Sequence, residues 1–281
     1  TSGGPEPEMI NGIMIPPKLR HIYESPIAGA DFGNISYSYS TTSAGKKVTV
    51  TKNIPNIRFI DRALGHIYET ATSTIVNTRI ANLTAPKTYE ALFGVDAKSV
   101  LLQSLIGEGD SIASYFGNLI RKPQPVLVTT SSSTAGTVVS TSTATEITDS
   151  SVYVPAKDGY EIKGDFIPNG VKIIEISPDK TRAFYIDSST GEANGVILNL
   201  SNGQKTIVWR NPLTQWNASW AGNNEILLWN APSALSQGAL YIFNLTTKQT
   251  TLLVSPVAGL TAKASPQYAQ NKLVLVGSSA D

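Results

Sequence analysis

The sequence contains no cysteine among its 281 residues. Neither a disulfide framework nor a thiolate metal site is therefore available to it. Charged residues make up only 15% of the chain, whereas typical soluble domains have roughly 25%. Serine, threonine and asparagine supply much of the polar surface instead, which favours strands and turns over helices.

An excess of charge of one sign is also lacking, because the 22 basic residues nearly cancel the 21 acidic ones. A protein that holds a nucleic-acid backbone needs a basic surface to neutralise the phosphates. Nucleic acid is therefore not an expected partner. No apolar run approaches the ~20 residues that a membrane-spanning helix requires, so no transmembrane segment is expected in this chain.

Histidine is scarce, and only His21 and His66 are available as general bases near neutral pH. Both precede the triplet Ile-Tyr-Glu, and this shared context indicates a recurring strand pattern. The nucleophile elbow, zinc-protease, P-loop and dinucleotide glycine motifs are all missing. The chain is therefore expected not to be an enzyme, and no catalytic or cofactor-binding residues are expected.

What the sequence does contain is a repeat of short apolar runs separated by Gly, Pro, Asn and Ser. Three segments that open on Gly65, Gly195 and Gly238 superpose as hairpins. Each runs from an apolar strand through a polar connection into a second strand, and the connections contain residues that tolerate turns. This pattern is typical of many short antiparallel strands.

A second marker, an aromatic residue or proline that leads a loop into an apolar run, recurs in the same frame. Trp220 follows Pro178 by 42 residues and precedes Pro266 by 46, while Phe93 precedes Pro178 by 85, or two such units. Periods of about 40–45 residues with four strands per unit are typical of propeller blades. The predicted fold is an all-β β-propeller of four-stranded blades, with about five blades or partial blades and a ring that this chain leaves incomplete.

Domain boundaries follow from this frame. Residues 1–17 are interpreted as an N-terminal extension and residues 18–281 as the propeller. Residues 18–24 (KLRHIYE) are interpreted as the outer strand of a blade whose inner strands lie elsewhere. The blades are expected near residues 30–81, 89–130, 171–210 and 216–254, with a partial blade from residue 260.

Residues 123–153 break the period. No charged residue stands between Pro123 and Thr145, and serine and threonine dominate the segment. Such tracts bury too little apolar surface to order themselves, which favours a flexible insertion between blades. The alternative is a protruding β-hairpin, an uncharged arm able to pair with a neighbouring sheet edge. The strand residues of this partner-binding arm would be Val126, Val128, Val138 and Val139.

One segment, from Ile176 to Trp209, reads ISPDKTRAFYIDSSTGEANGVILNLSNGQKTIVW. Its Ser-Pro-Asp, aromatic strand, glycine-bearing turn and polar hairpin resemble the TolB-like, WD40-like (PD40-type) propeller repeat of periplasmic and secreted bacterial proteins. That family usually has glycine after the aspartate, where this sequence has Lys180. The resemblance implies a propeller and an extracytoplasmic location. It implies no catalytic residues, because the repeat motif is structural.

The residues of this segment also suit a structural role on physical grounds. Ser177 and Asp179 are expected to form hydrogen bonds to nearby backbone in a turn. Phe184 and Tyr185 are expected to cover opposite faces of one strand.

The four tryptophans are expected to fill the space between sheets, where each indole N–H needs a partner. Trp216 and Trp229 lie near predicted loops. They are the candidate face aromatics, on which a sugar or a peptide would stack.

Clusters of carboxylates raise a glycan-cleaving enzyme as an alternative. Glu108 and Asp110 flank a glycine, and Asp158, Glu161 and Asp165 fall in one short segment. Retaining glycosidases need two carboxyl groups about 5 Å apart, one of them with a raised pKa. Spacing along a loop shows neither property.

Calcium is the one cofactor for which candidate ligands exist, at Asp158 with Asp165 or at Asp187 with Glu192. Neither pair fits the EF-hand loop pattern, and hairpin turns account for both. No cofactor or metal is therefore expected.

The sequence thus favours a non-enzymatic, extracytoplasmic propeller that binds or scaffolds proteins in a cell-surface or envelope assembly. Its expected partner is another protein or a second copy of itself, and a glycan is a further candidate ligand. The alternatives are a propeller-fold hydrolase or lyase acting on glycans, or the accessory propeller of a peptidase whose catalytic domain is absent.

Overall fold

A computed structural model describes residues 8–10, 13–15, 21–43, 46–72, 76–107, 111–122, 155–230, 238–254, 260–265 and 274–279. These residues form strands and one 3-10 helix, Val95–Ala97, and none of them lies in an α-helix. Among them, no helix has the length and apolarity needed to cross a membrane. The chain divides into two compact units, Thr1–Ala91 with Leu119–Lys163, and Leu92–Asn118 with Gly164–Asp281.

The first four-stranded sheet is a meander in which each strand pairs antiparallel with the next, and a short hairpin precedes it. Its third strand pairs with the second only as far as Asn56, opposite Ala71. The first two strands continue past this point as a two-stranded ribbon. The strands are β1 (Glu8–Ile10) and β2 (Ile13–Ile15) in the hairpin, then β3 (Ile27–Ser43), β4 (Lys46–Asp61), β5 (Ile67–Ala71) and β6 (Thr78–Arg79) in the sheet.

The first four-stranded sheet begins at Ile27, close to the predicted start near residue 30, but the segment before it differs from the prediction. Residues 21–26 contain no strand, so the interpretation of residues 18–24 as an outer strand is wrong over the part that the structure describes. Tyr23 instead packs its ring 5.0 Å from that of Phe59 and 5.1 Å from that of Tyr68. The Tyr23 side chain therefore contacts the sheet, although its segment forms no strand of it.

The second sheet contains the segment that breaks the repeat. Residues 122–159 connect the third strand of this sheet to its fourth, so the interpretation of residues 123–153 as an insertion between blades is wrong. The composition identifies an insertion, but the exposed fourth strand beyond it resembles a loop in sequence. The strands are β7 (Thr88–Phe93), β8 (Ser99–Ile106), β9 (Ser111–Arg121) and β10 (Tyr160–Ile167).

Two further four-stranded meanders and a two-stranded sheet follow. Their strands occur in the order that the repeat frame predicts. They are β11 (Ile174–Ile176), β12 (Arg182–Asp187), β13 (Ala193–Asn199) and β14 (Lys205–Asn211); β15 (Asn217–Gly222), β16 (Glu225–Asn230), β17 (Ala239–Asn244) and β18 (Thr250–Val254); and β19 (Leu260–Ser265) with β20 (Val274–Ser279).

The predicted fold class is confirmed, because the described residues are all-β and four of their sheets are four-stranded antiparallel meanders of the propeller-blade type. The hairpins that open on Gly65, Gly195 and Gly238 are the third and fourth strands of their blades. The marker Phe93 is the last residue of a first strand, Trp220 lies two residues before the end of another, and Pro178 follows β11 by two residues. The opening glycines therefore mark the third strand of a blade, and the second marker lies within two residues of the end of the first strand.

The core of the second unit lies on both faces of the β11–β14 sheet. Phe184 belongs to an apolar cluster that also contains Trp220 and Phe243. Its neighbour Tyr185 belongs to a different cluster, with Leu101. Adjacent strand residues point to opposite faces, and the prediction that Phe184 and Tyr185 cover the two faces is confirmed.

The turn that follows β11 forms as predicted. Ser177 Oγ accepts a hydrogen bond from Arg182 N at 3.0 Å, and Asp179 Oδ1 accepts one from Thr181 N at 3.0 Å. Lys180 adopts the left-handed conformation, with φ of 57°. This conformation favours glycine, the residue that the TolB-like repeat usually has where this sequence has Lys180.

Gly164 on β10 marks a close backbone approach. A Cβ atom at this position would lie 1.8 Å from Phe116 O and 2.6 Å from Gly117 Cα. Both neighbours are backbone atoms and cannot move aside without distorting the strand.

We expect Gly164→Ala to lower the free energy of unfolding by about 1–3 kcal/mol or more, as overpacked core substitutions do. Gly222→Ala is the matched control, since a Cβ there would meet its nearest neighbour, Glu225 Oε2, at 3.9 Å. Urea denaturation of both variants measures the difference. Equal stability of the two variants would contradict the described approach of β10 to β9.

Candidate binding site

A cleft of about 590 Å³ lies at one end of the β15–β18 sheet in the second unit. Small-molecule sites commonly fall in the range of about 300–1,000 Å³. Three aromatic side chains, Trp209, Trp216 and Tyr241, give the cleft its character, and we call it the aromatic pocket. The other lining residues are Arg210, Asn211, Leu213, Leu228, Asn230, Ala239 and Thr250.

Local turn chemistry brings the two tryptophans together. β14 ends at Asn211, whose Oδ1 accepts a hydrogen bond from Leu213 N at 2.9 Å. An asparagine side chain that binds the backbone two residues further on stabilises a turn. The chain therefore reverses between Trp209, on β14, and Trp216, which directly precedes β15.

The aromatic rings contact one another at their edges. The ring centroids of Trp209 and Trp216 are 5.1 Å apart with an interplanar angle of 80°. Those of Trp216 and Tyr241 are 5.8 Å apart and tilted by 54°. Edge-to-face contacts of this kind are favourable for aromatic quadrupoles, so Trp216 is held between two neighbours.

The indole nitrogen of Trp216 is the unusual feature of the pocket. Its Nε1 is buried and has no hydrogen-bond partner among the described residues. By contrast, Trp220 Nε1 donates to Glu175 O at 3.0 Å in the core of the same unit. A buried donor without a partner is costly and needs an explanation, such as a ligand or a water molecule.

Besides the indoles, the polar side chains of the pocket lining belong to Arg210, Asn211, Asn230, Tyr241 and Thr250. Asn230 Oδ1 accepts a hydrogen bond from Ala239 N at 3.1 Å, which fixes the amide orientation. Arg210 is exposed and is the one charged residue among the described residues that line the aromatic pocket. The pocket therefore offers aromatic faces and a guanidinium at its rim, and the unpartnered N–H of Trp216 lies buried beside it.

The two candidate face aromatics lie in different places. Trp216 lines the aromatic pocket, whereas Trp229 does not. Leu228 and Asn230, on either side of Trp229 in β16, both line it. Because side chains alternate along a strand, Trp229 points to the opposite face of the sheet.

The remaining pocket aromatics are not identified as site residues by the sequence. Trp209 is correctly expected in the core, where it belongs to the apolar cluster of Phe184, but it also forms a wall of the pocket. Tyr241 reads as an ordinary strand residue. Tyr241 reaches the pocket because the strand register pairs it with Leu228, which also lines the pocket. The turn-forming Asn211 is the one local feature of the sequence that hints at a site here.

The other predicted binding residues, Val126, Val128, Val138 and Val139, lie outside the residues that the structure describes. So do two of the candidate catalytic carboxylates, Glu108 and Asp110.

The candidate carboxylates that the structure does describe are engaged by cations. Asp158 Oδ2 lies 3.0 Å from Arg79 Nη2. Asp165 Oδ2 lies 3.4 Å from Lys205 Nζ, and Glu161 Oε2 lies 3.5 Å from Lys163 Nζ.

The histidines and the candidate calcium ligands are also dispersed. His21 is exposed and lies 3.5 Å from Glu24 Oε1. His66 Nε2 lies 3.4 Å from Thr84 Oγ1. Asp187 Oδ1 accepts a hydrogen bond from Ser189 N, as in a turn. Within the described ranges, no three His, Asp or Glu residues come together as a metal-binding group.

Comparison with known proteins gives similarity of fold. No family model matches the chain, and no curated protein matches it. The structure is similar to that of a putative TolB from Agrobacterium tumefaciens, with 9% identity, coverage of 90% of this chain and 80% of that one, and a TM-score of 0.43. It is also similar to TolB from Acinetobacter baumannii, with 14% identity, coverage of 88% of this chain and 61% of that one, and a TM-score of 0.39.

A third similar structure is an oligogalacturonate lyase in complex with manganese. Its identity is 10%, the match covers 90% of this chain and 68% of that one, and the TM-score is 0.45. This chain thus spans 61% of the length of the Acinetobacter TolB. At identities this low, the likenesses concern the fold.

The unpartnered indole of Trp216 leads to a stability prediction. Trp216→Phe removes an N–H that bonds no described residue, whereas Trp220→Phe removes a buried hydrogen bond. We expect Trp220→Phe to cost at least about 1 kcal/mol more in the free energy of unfolding. Chemical denaturation of the two variants tests this, and equal losses would mean that the Trp216 N–H is satisfied in the free protein.

Proposed function

We propose that this chain is a non-enzymatic binding propeller, and that the aromatic pocket is the site where it holds its ligand. The observation that carries the proposal is the buried N–H of Trp216, which has no described partner inside an aromatic cleft. A ligand that supplies a hydrogen-bond acceptor there would remove the cost of leaving this donor unpaired.

The pocket chemistry suits a partner that presents a flat or apolar group with an acceptor nearby. Trp216 and Tyr241 provide aromatic faces of the kind on which sugars and peptide side chains stack, and tryptophan and tyrosine are enriched at interfaces. Arg210 at the rim favours a partner with negative charge beside that group. A protein partner that inserts a short segment of this chemistry fits the pocket best, and a glycan is the second ligand class.

The proposal includes membership of the TolB-like repeat family and an extracytoplasmic location. The left-handed backbone at Lys180 supports the family assignment, because it accounts for the glycine that the repeat usually carries. The location follows from that resemblance and from no other feature of the chain. In this setting the propeller would act as a scaffold in a cell-surface or envelope assembly.

The rival proposal, a hydrolase or lyase acting on glycans, is less well supported. The described carboxylates that the sequence offers for it each lie beside a basic side chain, which favours a structural role.

Binding to arrayed glycans and displayed peptides tests the proposed function. We expect the parent protein to select a defined group of ligands, and Trp216→Ala to weaken their binding by about tenfold or more, as loss of an interface tryptophan commonly does. Trp229→Ala, on the opposite face of the same sheet, is the matched control and should bind as the parent does. Equal weakening by the two variants, or selection of no ligand, would contradict the proposal.

The Ser/Thr-rich segment 123–153, which has no charge from Pro123 to Thr145, remains a proposed second contact for a partner or for a second copy of the chain. The ends of the connection meet, since Lys122 N donates to Gly159 O at 2.9 Å. Residues between these two points can therefore be removed without stretching β9 or β10 apart.

Deleting residues 126–150 and closing the gap with a short glycine-serine linker tests this second contact. We expect self-association or partner capture to be lost while Tm changes by no more than a few degrees, because ends that already meet need only a short loop. Analytical ultracentrifugation and thermal denaturation provide the two readouts. Unchanged association, or a coincident loss of the fold, would contradict the proposed role.

A further inference from the structure

Asparagine stands directly before glycine at several places in the chain. The structure describes three such pairs, Asn169-Gly170, Asn194-Gly195 and Asn202-Gly203, and a further pair, at residues 11 and 12, lies outside the described residues. The backbone nitrogen of a glycine reaches the preceding asparagine side chain easily, because glycine has no Cβ to obstruct the approach. Whether the two groups react depends on what else holds them, and the three pairs differ in this respect.

The pair at residues 194 and 195 is held inside a sheet. Gly195 lies on β13, opposite Ile186 on one side and Trp209 on the other. Asn194 is buried, and its Nδ2 donates a hydrogen bond to Thr190 Oγ1 at 3.0 Å. Movement of this amide toward the backbone nitrogen of Gly195 would require the sheet to open.

The pair at residues 202 and 203 lies in the turn between β13 and β14, but hydrogen bonds hold both groups. Gly203 N donates to Asn199 O at 2.8 Å. Asn202 Oδ1 accepts a hydrogen bond from Gln204 N at 3.0 Å. The backbone nitrogen is therefore occupied, and the side-chain amide is turned toward a different N–H.

The pair at residues 169 and 170 is held least. Both residues are exposed and form the turn between β10 and β11. The Asn169 amide has no hydrogen-bond partner among the described residues. Gly170 N lies 3.4 Å from Ile112 O, whereas ordinary N–H···O bonds span about 2.7–3.2 Å. A Cβ at Gly170 would meet nothing within 4 Å, so the space around the backbone nitrogen is open.

We propose that Asn169 is a site of spontaneous covalent modification, at which the backbone nitrogen of Gly170 attacks the side-chain amide. Solvent base removes the proton of Gly170 N, the nitrogen bonds to Asn169 Cγ, and the amide nitrogen leaves as ammonia with a proton from water. The product is a cyclic succinimide. Water then opens the ring at Cγ, which gives aspartate, or at the main-chain carbonyl carbon, which gives isoaspartate.

Isoaspartate lengthens the chain at a place where both ends of the turn are anchored. Its backbone passes through Cβ and Cγ, which adds one atom between residues 169 and 170. Ile167 and Val171, on either side of the turn, are 1% and 3% exposed and belong to the same apolar cluster. Val171 O also accepts a hydrogen bond from Gln103 Nε2 at 3.2 Å. Because cores are close-packed, the longer turn must disturb the packing of these buried residues.

Incubation of the whole chain in mildly alkaline buffer, followed by digestion and peptide mass spectrometry, tests the proposal. We expect aspartate and isoaspartate to form at residue 169 at least about tenfold faster than at residue 202, the factor for one ordinary hydrogen bond that must break first. Residue 194 should react more slowly still. The rate at residue 169 should rise with pH, because solvent base removes the proton of Gly170 N. Equal rates at residues 169 and 202 in the folded chain would overturn the proposal.

The same measurement in urea is the control for the role of the fold. Once the chain is unfolded, the hydrogen bonds around residues 194 and 202 are lost, and the three asparagines should react at similar rates because each precedes glycine. If residue 169 kept its full advantage in urea, local sequence and not the folded surroundings would select it, and the structural explanation would be wrong.

Two variants separate the longer backbone from the added charge. Asn169→Asp carries the charge of the product on an ordinary backbone and should melt as the parent does. Asn169→Ser cannot form the succinimide and should keep its Tm throughout the incubation. We expect the isoaspartate form, isolated by chromatography, to melt about 2–4 °C or more below the parent, the shift typical of one lost interaction in a chain of this size. An isoaspartate form as stable as Asn169→Asp would contradict the anchoring of the turn.

Discussion

Burial of the middle strands on both faces is the constraint on which the blades depend. In β12, β13 and β16, adjacent residues are buried together, so both sides of these strands contact apolar groups. The fourth strands β14 and β18 are mostly exposed. A blade therefore has an apolar centre covered on both faces and an exposed outer strand, in which some apolar side chains such as Ile207 and Leu252 meet solvent. Strands of this kind read as continuous apolar runs, whereas a sheet with one solvated face alternates.

This constraint explains how much of the fold the sequence predicts. The runs VLL at 100–102 and ILL at 226–228 are easy to recognise in the sequence. Both faces of these strands are buried, so apolar and polar residues do not alternate there. Turn residues occur at equivalent places, so the repeat frame and the strand order follow together. The segment 111–120 fits a helix or a strand on periodicity alone, and its pairing with β8 decides for a strand.

The sequence does not predict the features that depend on pairing beyond the blade. β3 and β4 run well past the end of β5, because a hairpin can extend without a third strand when its backbone groups pair with each other. The sequence also does not predict that the Ser/Thr-rich segment 123–153 lies within a blade. The strand that follows it, β10, is largely exposed and lacks the apolar run that would identify it. The aromatic pocket is also not predicted, because it assembles residues from several strands and a turn. Trp216 is recognisable as a candidate, but its unpartnered N–H follows only from its neighbours.

Hydrogen exchange measured by mass spectrometry tests the two-sided burial of the middle strands most directly. The account predicts that amides at 100–103, 183–185 and 226–228 exchange slowest, and that those at 205–208 and 250–253 exchange about a hundredfold faster or more, as exposed strands of low local stability do. Equal protection of the fourth strands and the middle strands would contradict the claim that burial on both faces organises each blade.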